Sequence, residues 1–178
     1  MKLFAYAGNM NVEEFSKVVP SAKKIGIAKL PGYRFIFNKT AEDQSSKANI
    51  IPSAEPEEIV WGILIEFDEN EKPNFYNPDT WSSDFKLERV TCFDPDDEIH
   101  HAETFIAHPH AVNSHLLPYD WYHKKMIRLA KYAQLPAQYI NKIFLMKFKT
   151  DPDDGRRLRW LYQLKQNEGG DYLASHLY

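Results

Sequence analysis

The chain has 178 residues, of which 43% are hydrophobic and 14% aromatic, and its formal charge of -3 corresponds to a pI near 6.2. This composition is typical of one globular domain and gives no general attraction to nucleic acid or to anionic membranes. It contains no apolar stretch of about 18 residues and no secretory leader, and Cys92 is its single cysteine, so we expect a cytoplasmic protein without an intrachain disulfide.

The first residues predict a strand that turns directly into a helix. Residues 2–6 alternate long apolar and small side chains, which is typical of a short buried strand. Asn11 followed by Glu14 indicates a capped helix start. The short Gly8-containing connection leaves backbone N–H groups unpaired near the positive end of the helix dipole. It is either a site for a carboxylate or an oxyanion, or an ordinary strand-to-helix turn.

The middle of the chain predicts a sheet. Residues 21–30 and 33–37 flank Pro31-Gly32, which suits a type II turn, so we expect these two strands to pair with each other. Residues 40–47 are polar and predict a mobile loop, and an extended run over residues 48–52 follows.

The strongest strand is predicted over residues 59–67. It is almost entirely apolar and rich in β-branched residues, which favours a central position covered on both faces. Residues 85–93 and 102–107 predict two further strands across the acidic turn over residues 94–97.

Helices are predicted after Pro118. Apolar side chains recur every three or four residues from Tyr122 to Ala133, and we expect His123 and the neighbouring lysines to occupy the opposite, solvated face. A second helix is predicted over residues 137–144, and residues 156–165 form either a strand or a helix.

Several segments, in this order, resemble the γ-glutamylcyclotransferase family over residues 3–145. The matching segments are Tyr6-Ala7-Gly8-Asn9-Met10, Pro20-Ser21-Ala22, Gly32-Tyr33, Ala48-Asn49-Ile50-Ile51-Pro52, Val60-Trp61-Gly62-Ile63-Leu64, Pro118 to Tyr122, and Leu135-Pro136-Ala137-Gln138-Tyr139. The resemblance implies an α+β fold: a compact mixed sheet or partial barrel with a few flanking helices. We expect this domain to span residues 1–149, with a C-terminal extension over residues 150–178 packed on it.

The resemblance also implies an activity that releases 5-oxoproline from a γ-glutamyl amine or peptide, by attack of the α-amine on the γ-carbonyl. Carried across residue by residue, it makes Asp79 the catalytic acid/base. The implied substrate-binding residues are Tyr6, Ala7, Gly8, Asn9, Met10, Phe85, Phe105 and Tyr122. It implies no cofactor and no metal; the expected partner is a small γ-glutamyl molecule rather than nucleic acid or a membrane, and the oligomeric state is left open.

The sequence departs from the family at the acid/base. Asp79 stands where the family has a Glu, and this side chain is one methylene shorter. Phe85 and Phe105 stand where the family has tyrosines, and Ala7 replaces a glycine. The alternative function is therefore a catalytically inactive member that binds a small ligand or a protein.

Overall fold

The computed structural model describes residues 1–55, 57–77 and 84–166. The seven strands are β1 (Lys2–Ala5), β2 (Lys23–Pro31), β3 (Tyr33–Thr40), β4 (Ser46–Pro52), β5 (Ile59–Glu66), β6 (Phe85–Phe93) and β7 (Ile99–Ala107). The α-helices are α1 (Val12–Phe15), α2 (Asp120–Tyr132), α3 (Ala137–Phe144) and α4 (Asp154–Gln166). Short 3-10 helices cover Gly8–Met10, Glu69–Asn74 and Pro109–Ala111. Among the helices in the described ranges, none is both long and apolar enough to span a membrane.

Five strands form a closed barrel in the order β1-β5-β2-β6-β7. The barrel closes where β1 runs parallel to β7, at the pair Leu3 and Glu103. Strand β5 pairs with both β1 and β2, which confirms the central position predicted from its sequence. Its side chains from Ile63 to Ile65 are fully buried, so this strand supplies the middle of the core. The expected mixed fold with a barrel-like sheet is confirmed.

Gly62 is required by the close approach of β5 to β1. A Cβ atom at this position would lie 2.4 Å from the backbone oxygen of Ala5 and 3.0 Å from the ring of Phe4. No side chain fits that space, because real Cβ atoms do not approach a backbone oxygen so closely.

The predicted pairing of the strands around Pro31-Gly32 is wrong. Strand β2 pairs with β5 and β6, whereas β3 pairs with β4 in a separate two-stranded sheet. Gly32 adopts a φ of 75°, which fits a type II turn, but its N–H donates to Glu58 and its carbonyl accepts from Ser53. The turn therefore moves the chain from the barrel to the second sheet instead of folding it back on itself.

The loop predicted over residues 40–47 is mostly strand and tight turn. Ser45 and Ser46 are fully buried, and the Asp43 carboxylate accepts hydrogen bonds from Ser45 and Lys47. Tyr119 also donates to the Asp43 carbonyl at 2.7 Å. The polar side chains of this segment form hydrogen bonds within the protein, so their polarity does not indicate exposure to solvent.

The helices over residues 120–132 and 137–144 are confirmed, and residues 156–165 lie in helix α4. His123 was expected on the solvated face but is buried, because its Nε2 lies 2.8 Å from the Ile143 carbonyl and its ring stacks on Phe148. A polar residue at a helical position reaches the core when a carbonyl is available to pair with it.

Candidate functional site

The chain turns at residues 6–10 between β1 and α1, as predicted. Met10 N–H donates to the Ala7 carbonyl at 2.9 Å, and the Asn11 side chain accepts from Glu14 N–H at the start of α1. The N–H groups of Gly8 and Asn9 have no acceptor within residues 1–55, 57–77 and 84–166. The loop thus offers two backbone donors to an anionic or carbonyl oxygen.

Ala7 does not obstruct this turn. Its φ of -137° and ψ of -131° lie outside the left-handed region, so an alanine can occupy the place of the family glycine without that form of backbone strain. The loop geometry is therefore compatible with the substitution.

Tyr6 fixes the loop to the barrel. Its side chain is buried, and its hydroxyl donates to the Phe105 carbonyl on β7 at 2.7 Å. Burial raises the pKa of Tyr6, and the neighbouring hydroxyls of Tyr122 and Tyr139 raise it further. Tyr6 consequently remains protonated and acts as a structural donor.

Phe105 packs against the described residues on either side of the segment that contains Asp79. Its ring contacts Tyr76 and Phe85 edge-on, with centroids 6.0 and 5.8 Å away. These two residues stand on either side of residues 78–83, so both described ends of that segment pack on Phe105. Asp79, the predicted acid/base, lies outside the described residues.

Tyr122 presents a hydroxyl proton to the interior beside this cluster. Its oxygen accepts from Ala48 N–H at 3.2 Å, and burial raises its pKa to about 12. No acceptor for the Tyr122 hydroxyl proton is found in the part of the chain that the structure describes. The rings of Phe35 and Phe37 link Tyr6 to Tyr122, with edge-on contacts at 6.3, 5.1 and 6.1 Å. The Tyr122 hydroxyl is therefore a neutral group whose proton has no acceptor among the described residues.

The structure thus places both Tyr6 and Phe85 against Phe105, and Tyr122 lies close enough to Tyr6 to affect its pKa. It also adds Tyr139, which is buried on α3 with its ring edge 6.5 Å from Phe35. Tyr139 belongs to the Leu-Pro-x-x-Tyr segment of the resemblance but is not among the predicted site residues. That segment was the signal that could have identified it.

One cluster of possible metal ligands lies at the turn between β6 and β7, and its surroundings oppose a cation. Asp94, Glu98 and His100 place ligand atoms within 4.8 Å of one another in the turn between β6 and β7. However, the Asp94 carboxylate already accepts the N–H groups of Asp96 and Glu98, and the Lys2 ammonium lies 3.2 Å from His100 Nδ1. A positive charge at that distance opposes binding of a cation.

Comparison with solved structures identifies the fold. One structure described as a gamma-glutamyl cyclotransferase superimposes with a TM-score of 0.78 at 19% identity, covering 93% of this chain and 98% of that one. A human protein described as uncharacterized gives a TM-score of 0.72 at 20% identity, covering 83% and 88% of the two chains. YkqA from Bacillus subtilis gives 0.68 at 18% identity, and the match covers 84% of this chain and 55% of YkqA.

No protein-family model matches the sequence, and no curated protein matches it significantly. The similarity therefore resides in the three-dimensional structure. The chain has the γ-glutamylcyclotransferase-like fold, as the sequence resemblance implied.

Proposed function

We propose that the protein releases 5-oxoproline from a γ-glutamyl amine or peptide. Two observations carry this proposal: the Gly8 and Asn9 N–H groups are unpaired in the loop over residues 6–10, and Tyr122, which lies close enough to Tyr6 of that loop to affect its pKa, has an unused hydroxyl proton. These are neutral donors suited to an oxygen that gains negative charge during the reaction. The fold shared with a protein described as a gamma-glutamyl cyclotransferase supports the same reaction.

The reaction requires little covalent chemistry from the protein. The substrate α-amine forms a bond to its own γ-carbonyl carbon, and the bond from that carbon to the leaving nitrogen breaks. Two protons leave the α-ammonium nitrogen, which ends as the lactam N–H, and two reach the leaving nitrogen, which departs as an ammonium group. Because both reacting groups belong to one molecule, holding a coiled conformer and moving a proton account for most of the task.

Asp79 is the proposed proton acceptor. Its support is the sequence resemblance together with the positions of Tyr76 and Phe85, which bracket its segment and both contact Phe105. The Phe105 carbonyl accepts a hydrogen bond from the Tyr6 hydroxyl. Tyr76 and Phe85 are therefore connected through Phe105 to the loop over residues 6–10. Tyr122 stabilises the oxyanion in this scheme.

The test is incubation of the protein with a panel of γ-glutamyl amines and γ-glutamyl amino acids, with 5-oxoproline as the measured product. We expect Asp79→Asn to abolish the product, and Tyr122→Phe to lower kcat by about 100-fold or more, the effect of losing one oxyanion donor. Asp96→Asn is the matched control, because Asp96 is an exposed aspartate in the turn between β6 and β7.

Two results would contradict the proposal. If Asp79→Asn retains full activity, the acid/base assignment is wrong. If no γ-glutamyl compound yields 5-oxoproline but one binds saturably, the alternative of an inactive ligand-binding protein is correct, and the phenylalanines at positions 85 and 105 favour that alternative because each lacks a hydroxyl that the family has.

A further inference from the structure

Two lysines approach each other beside Tyr122, one on β4 and one on α2. Lys47 Nζ lies 4.8 Å from the ring centroid of Trp121 and 4.9 Å from that of Tyr122. Lys125 Nζ lies 5.1 Å from the ring centroid of Trp160, which itself stacks on Trp121 at 4.8 Å. Aromatic rings thus lie against both ammonium groups, and one of these rings, that of Tyr122, belongs to the candidate site.

The two lysines differ in how their charges are balanced. Lys47 donates to the Asp43 carboxylate at 2.9 Å and to Ser45 Oγ at 2.9 Å, so its charge has a partner. Lys125 forms no ion pair with any carboxylate in residues 1–55, 57–77 and 84–166. The nearby Glu14 is already engaged by Lys17 at 2.7 Å.

The other charges that act on Lys47 do not neutralise the two lysines either. Arg156 and Asp151 form their own pair at 2.6 Å, so they contribute little net charge. Burial lowers the pKa of Lys125 to about 8; the positive charge of Lys47 adds to this effect and Glu14 opposes it. Lysines normally keep the ammonium group in water, as the exposed neighbour Lys124 does, so a half-buried ammonium group without an anion is a costly arrangement.

We propose that Lys125, supported by Lys47, forms a binding subsite for a carboxylate in the part of the substrate beyond the γ-carbonyl. The inference rests on the proposed function and specifies its substrate class: γ-glutamyl amino acids are preferred over γ-glutamyl amines. Trp121, Tyr122 and Trp160 form the walls of the subsite, and the carboxylate supplies the missing negative charge.

The spacing along α2 fits this substrate class. Lys125 follows Tyr122 by three positions, so the two side chains leave the same side of the helix with Cβ atoms about 5–6 Å apart. In a γ-glutamyl amino acid, the free carboxylate is only a few bonds from the γ-carbonyl. A substrate whose γ-carbonyl accepts from Tyr122 can therefore extend its carboxylate toward Lys125.

The test compares γ-glutamylalanine with γ-glutamylalanine amide, which differ in the charge of one group. For the wild-type protein we expect a preference for the acid in kcat/KM and in Kd. Lys125→Gln should reduce that preference by about 10- to 100-fold, the effect of one charge-assisted hydrogen bond, chiefly by lowering the values for the acid. Lys125→Arg should restore much of the preference.

Lys124→Gln is the matched control, because it removes one exposed positive charge at the preceding position of the same helix. It should change neither the kcat/KM ratio nor the Kd ratio of the acid and the amide. Equal treatment of acid and amide by the wild-type protein, or an unchanged ratio in Lys125→Gln, would overturn the subsite.

The subsite and the reaction fail in different ways. Product from both compounds without a preference supports the reaction and overturns the subsite. If neither compound yields 5-oxoproline, the reaction is overturned, and titration calorimetry then decides the subsite: tighter binding of the acid that depends on Lys125 supports it, and equal or undetectable binding overturns it.

Discussion

The barrel and the helical corner formed by α2 and α4 are stabilised in different ways. The core beside the barrel is held by apolar packing: Phe15 of α1, Phe67 and Phe75 pack edge-on with ring centroids 5.1 to 6.5 Å apart. At the corner, α4 has no buried residue. It is attached through charged pairs and through the stacked rings of Trp121 and Trp160.

We expect mutations to destabilise the two regions in different ways. The barrel depends on shape, so a small change in volume at a close contact disturbs the whole sheet. The corner depends on a few directed contacts, so losing one removes a defined part of the attachment of α4 and leaves the sheet intact. The candidate site lies where the two regions meet, because Tyr6 comes from the barrel and Tyr122 from the helix.

Gly62→Ala should have the largest effect. The added methyl group would lie 2.4 Å from the Ala5 carbonyl oxygen, and backbone atoms on both strands must move to relieve the clash. We expect a loss of about 3 kcal/mol or more in the free energy of unfolding, measured by urea denaturation.

Gly26→Ala is the control for this variant. Gly26 lies in the neighbouring strand β2, and a Cβ atom there meets nothing within 4 Å. Its stability should stay within about 0.5 kcal/mol of wild type. Equal losses in the two variants would show that close packing at the β1–β5 contact is not what makes a glycine necessary.

Asp151→Asn should have the next largest effect, confined to the corner. The buried Asp151 carboxylate accepts from Arg156 at 2.6 and 2.7 Å and from Trp121 Nε1 at 2.8 Å. Removing its charge leaves the guanidinium group without a counter-ion, and we expect a loss of about 2–3 kcal/mol.

The loss caused by Asp151→Asn should depend on pH. Hydrogen bonds from Arg156, the Asp153 N–H and Trp121 outweigh the opposing effect of burial and hold the Asp151 pKa at about 2. Because the folded-state pKa is below the unfolded value, the stabilisation is complete above about pH 4 and is lost as the pH falls toward 2. The difference between wild type and variant should shrink over that interval. Asp154→Asn, which removes an exposed carboxylate from the same region, is the control.

The sequence predicted the barrel better than it predicted the corner. A continuous apolar run, which is typical of a central strand, predicted β5. The spacing of their apolar residues predicted helices α2 and α3. The partner of β3 could not be predicted, because Pro31-Gly32 fits a type II turn whether or not its flanking strands pair. Strand pairing is decided by contacts distant in sequence, here the hydrogen bonds of Gly32 to Glu58 and Ser53.

The candidate site shows the same limit. The loop over residues 6–10 was predictable because a strand, a glycine and a helix cap follow one another in sequence. Lys125 was not, because helical periodicity assigns it to the solvated face, whereas Trp160 from a helix 35 positions later covers it. A local sequence pattern does not predict the burial of a residue that is covered by elements distant in sequence.

Trp160→Ala should have a moderate effect restricted to α4. It removes the stacking on Trp121 at 4.8 Å and the contact with Lys125, and we expect the local free energy of opening of α4 to fall by about 1 kcal/mol. Amide hydrogen exchange should accelerate in α4 and remain unchanged in β5. Leu158→Ala, which removes an exposed side chain of the same helix, serves as the control. Faster exchange throughout the barrel would contradict the separation of the two regions.

The smallest effect is expected from His123, which joins α2 to α3. Burial lowers the pKa of His123, and the positive charge of Lys124 contributes to the decrease, whereas the hydrogen bond to the Ile143 carbonyl opposes it. The unfolded chain therefore binds a proton more readily than the folded protein, and stability falls as the pH drops through about 6.5. The loss cannot exceed about 1.4 kcal/mol per pH unit for one proton.

His123→Gln can still donate to the Ile143 carbonyl but does not titrate, so its stability should change less than that of wild type between pH 7 and pH 5. Parallel pH profiles for the two proteins would show that the buried imidazole does not control the acid sensitivity of the contact between α2 and α3.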